Sequence, residues 1–419
     1  MKREKYEPVL KNISYFIKWV EGAIVIGIVS GCIGTAFGKC VLWVSAFFQS
    51  HPWMVFLLPL TGLLVLGVYH VLGESNNRGT NMVIESIYSN TEISFATAPA
   101  VFAGTLLTHL GGGSAGREGV ALQMGGSIGT QIGKWLKFDE KDKKIAVMCG
   151  MSGVFAALFG TPMAAAIFSM EVISIGIMYY AALVPCVFSA FIGERISIFM
   201  GVRTLTAPYP VEEVPNFYGI AWGKAILLAI CFAFAGALFC VMLHIFEKQL
   251  KKWFQNPYLR VFVGGVTVVL LWKITGTDTY LGLGGGTIAQ SFAEPQKLWV
   301  FLLKILFTCI TLCSGFKGGE IVPSLFIGAT FGSALAPIFG LPVDICAACG
   351  MVGVFCAVTN SPISSLLIAF ELFGFAGMPY FCTVIAVSYL LSGYQSLYKA
   401  QKIVYSKTEN KYIDRNTTS

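Results

Sequence analysis

The chain has 419 residues, of which 55% are hydrophobic and only 12% are charged. Soluble domains carry about 25% charged residues, so this composition excludes an ordinary soluble protein and predicts a polytopic membrane protein. The formal net charge of +7 is carried partly by basic residues at the two ends of the chain. Under the positive-inside rule both termini are predicted to be cytoplasmic, and the charges are not interpreted as a nucleic-acid surface.

Apolar segments follow one another along the chain, and several of them are interrupted. Segments 52–72 and 225–243 are long enough to cross a bilayer. Glycine and proline break other apolar runs at 111–119, 160–162 and 315–323. Broken helices are tolerated in membranes where the irregular backbone lines a cavity or is buried in protein. The pattern therefore favours a transporter or channel.

The chain contains an internal repeat. Segment 149–171 recurs as 349–371, and the two share Cys, Gly, Met, Val, Phe, Ala, Pro and Glu at matching positions. The same ungapped register pairs Arg117 with Lys317 and Gly119 with Gly319. Repeats in transporters often have inverted topology, with the substrate site at their interface; the matches alone fit an inverted or a parallel repeat. The predicted organisation is an N-terminal segment (1–14), a first membrane repeat (15–200), a linker (201–214), a second membrane repeat (215–399) and a C-terminal tail (400–419).

The loop 111–120 is rich in glycine and carries Glu118 between two apolar runs. Ionisable residues in such surroundings are functional candidates by default. Glycine lets backbone N–H groups approach an anion closely, and a helix beginning near Arg117 would direct its positive end at that anion. A carboxylate there competes with the anion and can carry a proton. The alternative is a glycine-rich turn with one glutamate facing a water-filled vestibule.

Four motifs resemble those of the CLC family of chloride channels and proton-coupled antiporters. Segment 116–120 (GREGV) resembles the GREGP signature, and 319–323 (GEIVP) lies where the family has GxFxP. Segment 79–83 (GTNMV) lies at the GSGIP position, and Tyr398 resembles the pore tyrosine. The motifs occur in the family's order, and the resemblance covers nearly the whole membrane region.

The departures from these motifs resemble the fluoride-transporting branch, CLC-F. Val120 replaces the proline of GREGP, Thr80 and Asn81 replace the serine and second glycine of GSGIP, and Glu320 enters the GxFxP region. The position of the inner proton-transfer glutamate of chloride antiporters falls on Val172, which also suits the fluoride branch.

The resemblance implies an all-α membrane protein of about 18 tilted and broken helices in two inverted repeats, assembled as a homodimer in the cell membrane. It implies a fluoride/proton antiporter that exports fluoride and so confers fluoride resistance. The alternatives are a chloride/proton antiporter and a passive anion channel. No metal site or cofactor is predicted. An enzyme is not predicted either, because no nucleophile–base pair and no phosphate-binding loop are found.

The resemblance also implies roles for individual residues. Glu118 is the proton-carrying gate. Glu320 is a second gating and proton-transfer residue, or a first-turn charge favoured by the helix dipole. Thr80 and Asn81 contact the anion, or serve as N-caps. Tyr398 donates its hydroxyl to the anion, or is an interfacial anchor. The predicted anion-binding residues are Thr80, Asn81, Gly116, Arg117, Gly119, Val120, Gly319, Ile321 and Tyr398.

Other charged residues remain open between two interpretations. Arg117 and Lys317 raise the local anion concentration or pair with a carboxylate. Lys304, inside an apolar run, attracts anions or extends to an edge of the membrane. Glu171 and Glu371 match in the repeat and are predicted to be structural residues at helix ends.

Overall fold

The computed structural model describes residues 2–89, 91–202, 209, 211–212 and 214–417; the side chains of 2–8 and most of the predicted linker 201–214 lie outside this described part. Within it the chain forms sixteen α-helices and two short 3-10 helices, Pro52–Leu57 and Tyr180–Ala182. The predicted total of about 18 helices agrees with this sum.

The first eight helices lie in the first half of the chain, and the first of them already includes the predicted N-terminal segment from residue 2 onward. They are α1 (Lys2–Ser50), α2 (Leu58–Val71), α3 (Thr80–Tyr88), α4 (Thr97–Leu110), α5 (Glu118–Trp135), α6 (Glu140–Phe159), α7 (Pro162–Glu171) and α8 (Leu183–Phe199).

The second half has the same order of long and short helices. They are α9 (Ile220–Trp253), α10 (Pro257–Thr275), α11 (Gly285–Ala293), α12 (Trp299–Ser314), α13 (Ile321–Phe339), α14 (Val343–Thr359), α15 (Pro362–Phe373) and α16 (Met378–Leu391). Six membrane-crossing candidates among the described helices are long and apolar enough to span a bilayer by length and composition. The chain is therefore mostly helical, as predicted.

The breaks between helices have the same local chemistry in both halves. Helix α6 ends at a left-handed residue, Gly160 (φ 66°), and α7 begins at Pro162. Helix α14 ends at Asn360 (φ 56°), also left-handed, and α15 begins at Pro362. Glycine and asparagine are the residues that tolerate this C-terminal conformation, and proline is favoured at the first helical position. The recurring motif therefore encodes two helix breaks.

Glycines let the central helices approach backbone to backbone. A Cβ built on Gly125 of α5 would lie 2.3 Å from the carbonyl oxygen of Gly150 in α6, and one on Gly328 of α13 would lie 2.2 Å from that of Gly350 in α14. Only small residues permit such contact between helices. These two matched helix pairs are the core on which the site is built.

The repeat register around the glycine loops differs from the ungapped prediction. Helices α5 and α13 have Arg117 and Glu320 as their N-caps, so Arg117 corresponds to Glu320, three positions beyond Lys317. The physical reason is that α6 has 20 residues and α14 has 17. The ungapped register holds at the C-terminal ends of these helices and is lost at their N-terminal ends.

A small sheet that the sequence did not predict lies beside the helices. Strand β1 (Ser174–Ile175) follows α7, and the tail forms β2 (Lys402–Tyr405) and β3 (Tyr412–Asn416). Strand β1 pairs with β2 in parallel, and β2 pairs with β3 antiparallel. The tail is thereby attached to the first half of the chain.

Candidate functional site

The two glycine loops pair with each other at the centre of the molecule. The N–H of Gly116 donates to the carbonyl of Gly319 (2.7 Å), and the N–H of Gly319 donates to the carbonyl of Gly116 (2.8 Å). Helices α5 and α13 each begin two residues after this antiparallel bridge. The first N–H groups of a helix have no acceptor within the helix, and its N-terminus favours negative charge. The bridge therefore brings two anion-attracting helix ends together.

Glu118 occupies this position with its own carboxylate. Its side chain is fully buried, and Oε2 accepts hydrogen bonds from the N–H groups of Arg117 and Val322, each at 3.0 Å. Its Oε1 has no hydrogen-bond partner among the described residues and lies 3.7 Å from Nε of Arg117. A Cβ on Gly116 would lie 2.6 Å from Oε2, so this carboxylate position requires glycine there.

Arg117 thus lies beside a carboxylate. This contact agrees with the interpretation that Arg117 pairs with a carboxylate. Val322 was not singled out from the sequence, although it lies inside the 319–323 motif. Its contribution is a backbone N–H, which no residue type reveals.

Glu320 lies on the other side of the bridge region, next to Thr80. A Cβ on Gly119 would lie 3.2 Å from Glu320 Oε2 and 3.2 Å from Thr80 Oγ1, so both side chains converge on this glycine. The Thr80 hydroxyl donates to the Gly119 carbonyl at 3.2 Å. Glu320 is the N-cap residue of α13, but its side chain makes no capping hydrogen bond. Its carboxylate is therefore directed to the space near Gly119.

A cavity of about 610 Å³ leads up to this point. The predicted site residues that line it are Thr80, Asn81, Val120, Glu320 and Tyr398. Glu118 is not among the described residues that line the cavity. Glu320 therefore borders the cavity, and Glu118 lies behind it, at the bridge. Gly319 and the buried Ile321 are part of the bridge and the α13 N-terminus.

Tyr398 is held through its backbone and leaves its hydroxyl free. The residue is 1% exposed, and its hydroxyl has no hydrogen-bond partner in the described part of the chain. Its N–H donates to Ser396 Oγ (3.1 Å), and its carbonyl accepts from the hydroxyl of Thr417 (2.8 Å). Asn81 Oδ1 accepts from the N–H of Ala400 at 2.9 Å. The Asn81 side chain therefore has a positioning contact with the Tyr398 segment.

Gln401 is a second residue that the sequence analysis missed. It is fully buried, and its Nε2 donates to the carbonyls of Val172 (3.0 Å) and Thr359 (2.8 Å). Its Oε1 accepts from the hydroxyl of Ser396 at 2.8 Å. Gln401 thus fixes the Tyr398 segment against the ends of α7 and α14. The sequence carries no signal for this role, because the tail lacks a helical pattern. The role becomes visible only from the position of the tail in the structure.

Lys304 is buried, and its Nζ donates to the carbonyls of Tyr280 (3.2 Å) and Gly282 (2.9 Å). These bonds fasten the loop before α11 to α12. The structure thus gives Lys304 a local structural contact.

Comparisons with known proteins agree with this arrangement. The family model described as "Voltage gated chloride channel" matches residues 61–393. A chloride/fluoride channel protein of Pseudomonas syringae pv. tomato is 35% identical over 405 residues, which are 95% of this chain and 89% of that protein. An H(+)/Cl(-) exchange transporter of Cronobacter sakazakii is 26% identical, over 83% of this chain and 80% of its own length.

Solved structures show the same fold. A CLC-type fluoride/proton antiporter superposes with a TM-score of 0.89 at 35% identity, over 92% of this chain and 98% of that one. A slow cyanobacterial Cl-/H+ antiporter superposes with a TM-score of 0.74 at 20% identity, over 89% of this chain and 94% of that one. The bridged glycine loops, the two matched halves and these similarities lead to one assignment: the chain is a multi-pass membrane protein of the CLC family.

Proposed function

We propose that this chain exchanges fluoride for protons across the cell membrane and exports fluoride from the cell. The observation that carries the proposal is the carboxylate of Glu118, bound by the N–H groups of Arg117 and Val322 where two helix N-termini meet. Those donors would bind an anion equally well. Of the two relatives that are 35% identical, one is named a chloride/fluoride channel protein and the other a CLC-type fluoride/proton antiporter.

The geometry supports a gate in which anion and carboxylate compete. Ionised Glu118 satisfies the N–H groups of Arg117 and Val322 and fills the place of the anion. Once protonated, it loses the negative charge that these donors favour, and fluoride can replace it. Each exchange then moves a proton with the side chain and an anion through the vacated position, which is the requirement for coupling.

Glu320 supplies a second proton-carrying group on the cavity side. Its carboxylate borders the cavity and lies next to Gly119, so a proton that passes from Glu118 to the cavity is carried by Glu320 on its way. Val172, at the position where chloride antiporters are expected to carry an inner glutamate, is an uncharged buried residue. The proposed proton route therefore follows the anion route through Glu320.

Fluoride is small and strongly hydrated, so removing its water requires several short hydrogen bonds. The proposed donors on the cavity side are the first N–H groups of α3 at Thr80 and Asn81 and the Tyr398 hydroxyl, which has no partner among the described residues. The Thr80 hydroxyl joins them only when it releases the Gly119 carbonyl. These groups come from two separate elements. Together they give a polar cradle that suits fluoride better than a larger halide.

Purified protein in liposomes tests the function directly. Liposomes loaded with equal concentrations of fluoride or chloride should lose fluoride much faster, and fluoride loss should drive proton uptake into the liposomes. Protein-free liposomes and the Glu118→Gln variant are the controls. Equal rates for both anions would assign the chain to chloride/proton exchange, and fluoride loss without proton uptake would make it a passive channel.

The same proposal includes a homodimer with one pathway per subunit and both termini in the cytoplasm, as the resemblance implies. The cavity would then open to the cytoplasm, because the tail residue Asn416 lines it. Cross-linking in native membranes and protease accessibility of a C-terminal tag measure these two features. A monomer, or a tag cleaved only from outside intact cells, would contradict them.

A further inference from the structure

The cavity carries more basic than acidic side chains, and their pairing is uneven. Five basic residues line it, against three carboxylates. The basic residues are Arg78, Lys251, Arg260, Lys317 and Lys399; the carboxylates are Glu85, Glu247 and Glu320.

Three of the five cations form ion pairs, with two carboxylates between them. Arg78 binds Glu85 through two hydrogen bonds. Lys251 and Lys399 share Glu247, with Nζ–oxygen distances of 2.6 Å and 2.8 Å. These side chains belong to ion pairs and offer little free charge to an incoming anion.

Lys317 and Arg260 are different. In the described part of the chain, Nζ of Lys317 has no hydrogen-bond acceptor and no carboxylate within ion-pair distance; it lies 4.4 Å from the ring centroid of Tyr69. Among the described residues, the Arg260 guanidinium donates to two carbonyls, those of Ser314 (3.4 Å) and Phe254 (3.3 Å). Among the described residues, neither cation has a carboxylate in hydrogen-bond or ion-pair contact, and Glu74 and Glu247 interact with them only from farther away.

The position of Lys317 is fixed by a backbone hydrogen bond and by close packing. Its backbone N–H donates to the Thr108 hydroxyl at 3.2 Å, and its Cβ and Cγ would each lie 3.3 Å from a Cβ on Gly104. Tyr69, another lining residue, is 2% exposed, and its hydroxyl has no hydrogen-bond partner among the described residues. A cation over an aromatic ring and a buried unpaired hydroxyl donor therefore stand together at one wall.

We propose that Lys317 and Arg260 form a second anion site in this cavity, which holds a fluoride ion before it reaches Glu320 and the glycine bridge. The inference rests on the proposed function for the identity of the anion. The site raises the concentration of fluoride at the cavity end of the path, because a positive charge without a carboxylate in contact attracts anions more strongly in a confined cavity than in bulk water. The site affects the binding of fluoride from the cavity and does not affect the gate at Glu118.

The test compares three variants in liposomes at increasing internal fluoride concentrations. Lys317→Gln should raise the half-saturating fluoride concentration roughly ten-fold, the loss expected for one favourable charge contact of about 1.4 kcal/mol, and leave the maximal rate unchanged. Lys317→Arg should restore the wild-type value. Lys251→Gln removes the same charge from the same cavity, but one already paired with Glu247, so its half-saturation should stay within about two-fold of wild type.

Direct binding gives a second measurement. Calorimetric titration of the purified full-length protein with sodium fluoride should show one site fewer, or one site much weaker, in Lys317→Gln, at an unchanged melting temperature. Unchanged half-saturation in Lys317→Gln would overturn the site. An equal shift in Lys251→Gln would overturn it as well, because the effect would then belong to the general field of the cavity.

The outcome is separable from the proposed function. If the wild type moves chloride but not fluoride, the fluoride assignment fails, and the same variants titrated with chloride decide the site. If fluoride moves without protons, the proposed coupling is wrong. The comparison of half-saturating fluoride concentrations among the variants still tests the second anion site.

Discussion

Glu171 and Glu371 each cap the short helix of the opposite half. The Glu371 carboxylate accepts from the N–H groups of Met163 and Ala164, both at 2.9 Å, at the start of α7. The Glu171 carboxylate accepts from those of Ile363 (3.0 Å) and Ser364 (2.8 Å) at the start of α15. A residue at or near the end of each broken helix thus satisfies the start of the other, and the two halves are joined reciprocally.

The first prediction concerns these caps. Glu371→Gln should lower the free energy of unfolding by about 1–3 kcal/mol, because a charge-assisted acceptor at a helix N-terminus becomes a neutral amide whose NH2 group cannot accept. Thermal unfolding of the purified protein measures this. Glu140→Gln, which alters an exposed pair with Lys143, is the control and should change little. Equal melting temperatures for the two variants would show that the reciprocal caps do not stabilise the fold.

The second prediction concerns Glu118. Glu118→Gln keeps the size of the side chain but cannot release a proton, so fluoride-driven proton uptake should fall to the level of protein-free liposomes. Fluoride movement should stop, or continue as an uncoupled leak. Simultaneous fluoride-electrode and pH recordings measure both fluxes. Proton uptake at the wild-type rate would contradict the gate.

The third prediction concerns Glu320, whose side chain makes no capping hydrogen bond. Glu320→Gln should reduce fluoride transport about ten-fold or more, because a proton-transfer group is worth roughly 10²–10⁴-fold where it acts in the rate-limiting step, while the melting temperature stays close to wild type. Efflux and thermal unfolding are measured on the same preparation. Normal efflux with a loss of about 0.3–1 kcal/mol would instead indicate a helix-dipole charge.

The fourth prediction concerns Gln401. Gln401→Leu removes the side-chain donor of the Val172 carbonyl and one of the two side-chain donors of the Thr359 carbonyl, which costs about 1–3 kcal/mol of stability. It also releases the Tyr398 segment, so fluoride transport should also fall. Tyr398→Phe removes a hydroxyl that has no partner among the described residues and should reduce transport without a loss of stability.

If Gln401 acts through Tyr398, Gln401→Leu should reduce transport little further in the Tyr398→Phe background. A full additional loss in the double variant would mean that Gln401 serves the fold alone.

The fifth prediction concerns the backbone contact of α5 and α6. A Cβ on Gly150 would lie 2.0 Å from the Gly125 carbonyl oxygen, so Gly150→Ala should destabilise the protein by about 1–3 kcal/mol or prevent its folding. Gly67→Ala in α2, where nothing lies within 4 Å of the new methyl group, is the matched control and should be neutral or stabilising by up to about 1 kcal/mol. Expression level and melting temperature compare them. A well-folded Gly150→Ala variant would contradict the close packing.

Much of the architecture could be predicted from the sequence, because glycine and proline mark helix breaks by local conformation. Gly160 and Pro162 end and begin helices at a predicted break, and Asn360 and Pro362 do the same at the matching place in the internal repeat. The residues near Glu118 could be found for the same reason, since glycines flank a single charged pair in an apolar run.

The contacts between distant segments could not be predicted. The N–H of Val322 is a donor of the site through the backbone alone, and the Ala400 N–H binds Asn81 across the chain. The three-residue difference between α6 and α14 also shifts the repeat register at Arg117, although identities at Cys149 and Cys349 suggest an ungapped match. These identities lie in the C-terminal parts of α6 and α14 and therefore do not reveal the difference in length at the N-terminal ends of the two helices.

The attachment of the tail separates two events in the biosynthesis of this protein. The Thr417 hydroxyl donates to the Tyr398 carbonyl, and β2 pairs with β1. Both contacts form only after all helices of both halves have left the ribosome. A chain that has inserted every helix up to α16 therefore still lacks the wall formed by Tyr398 and Asn416. The wall of the cavity is therefore complete only after the tail strands have docked.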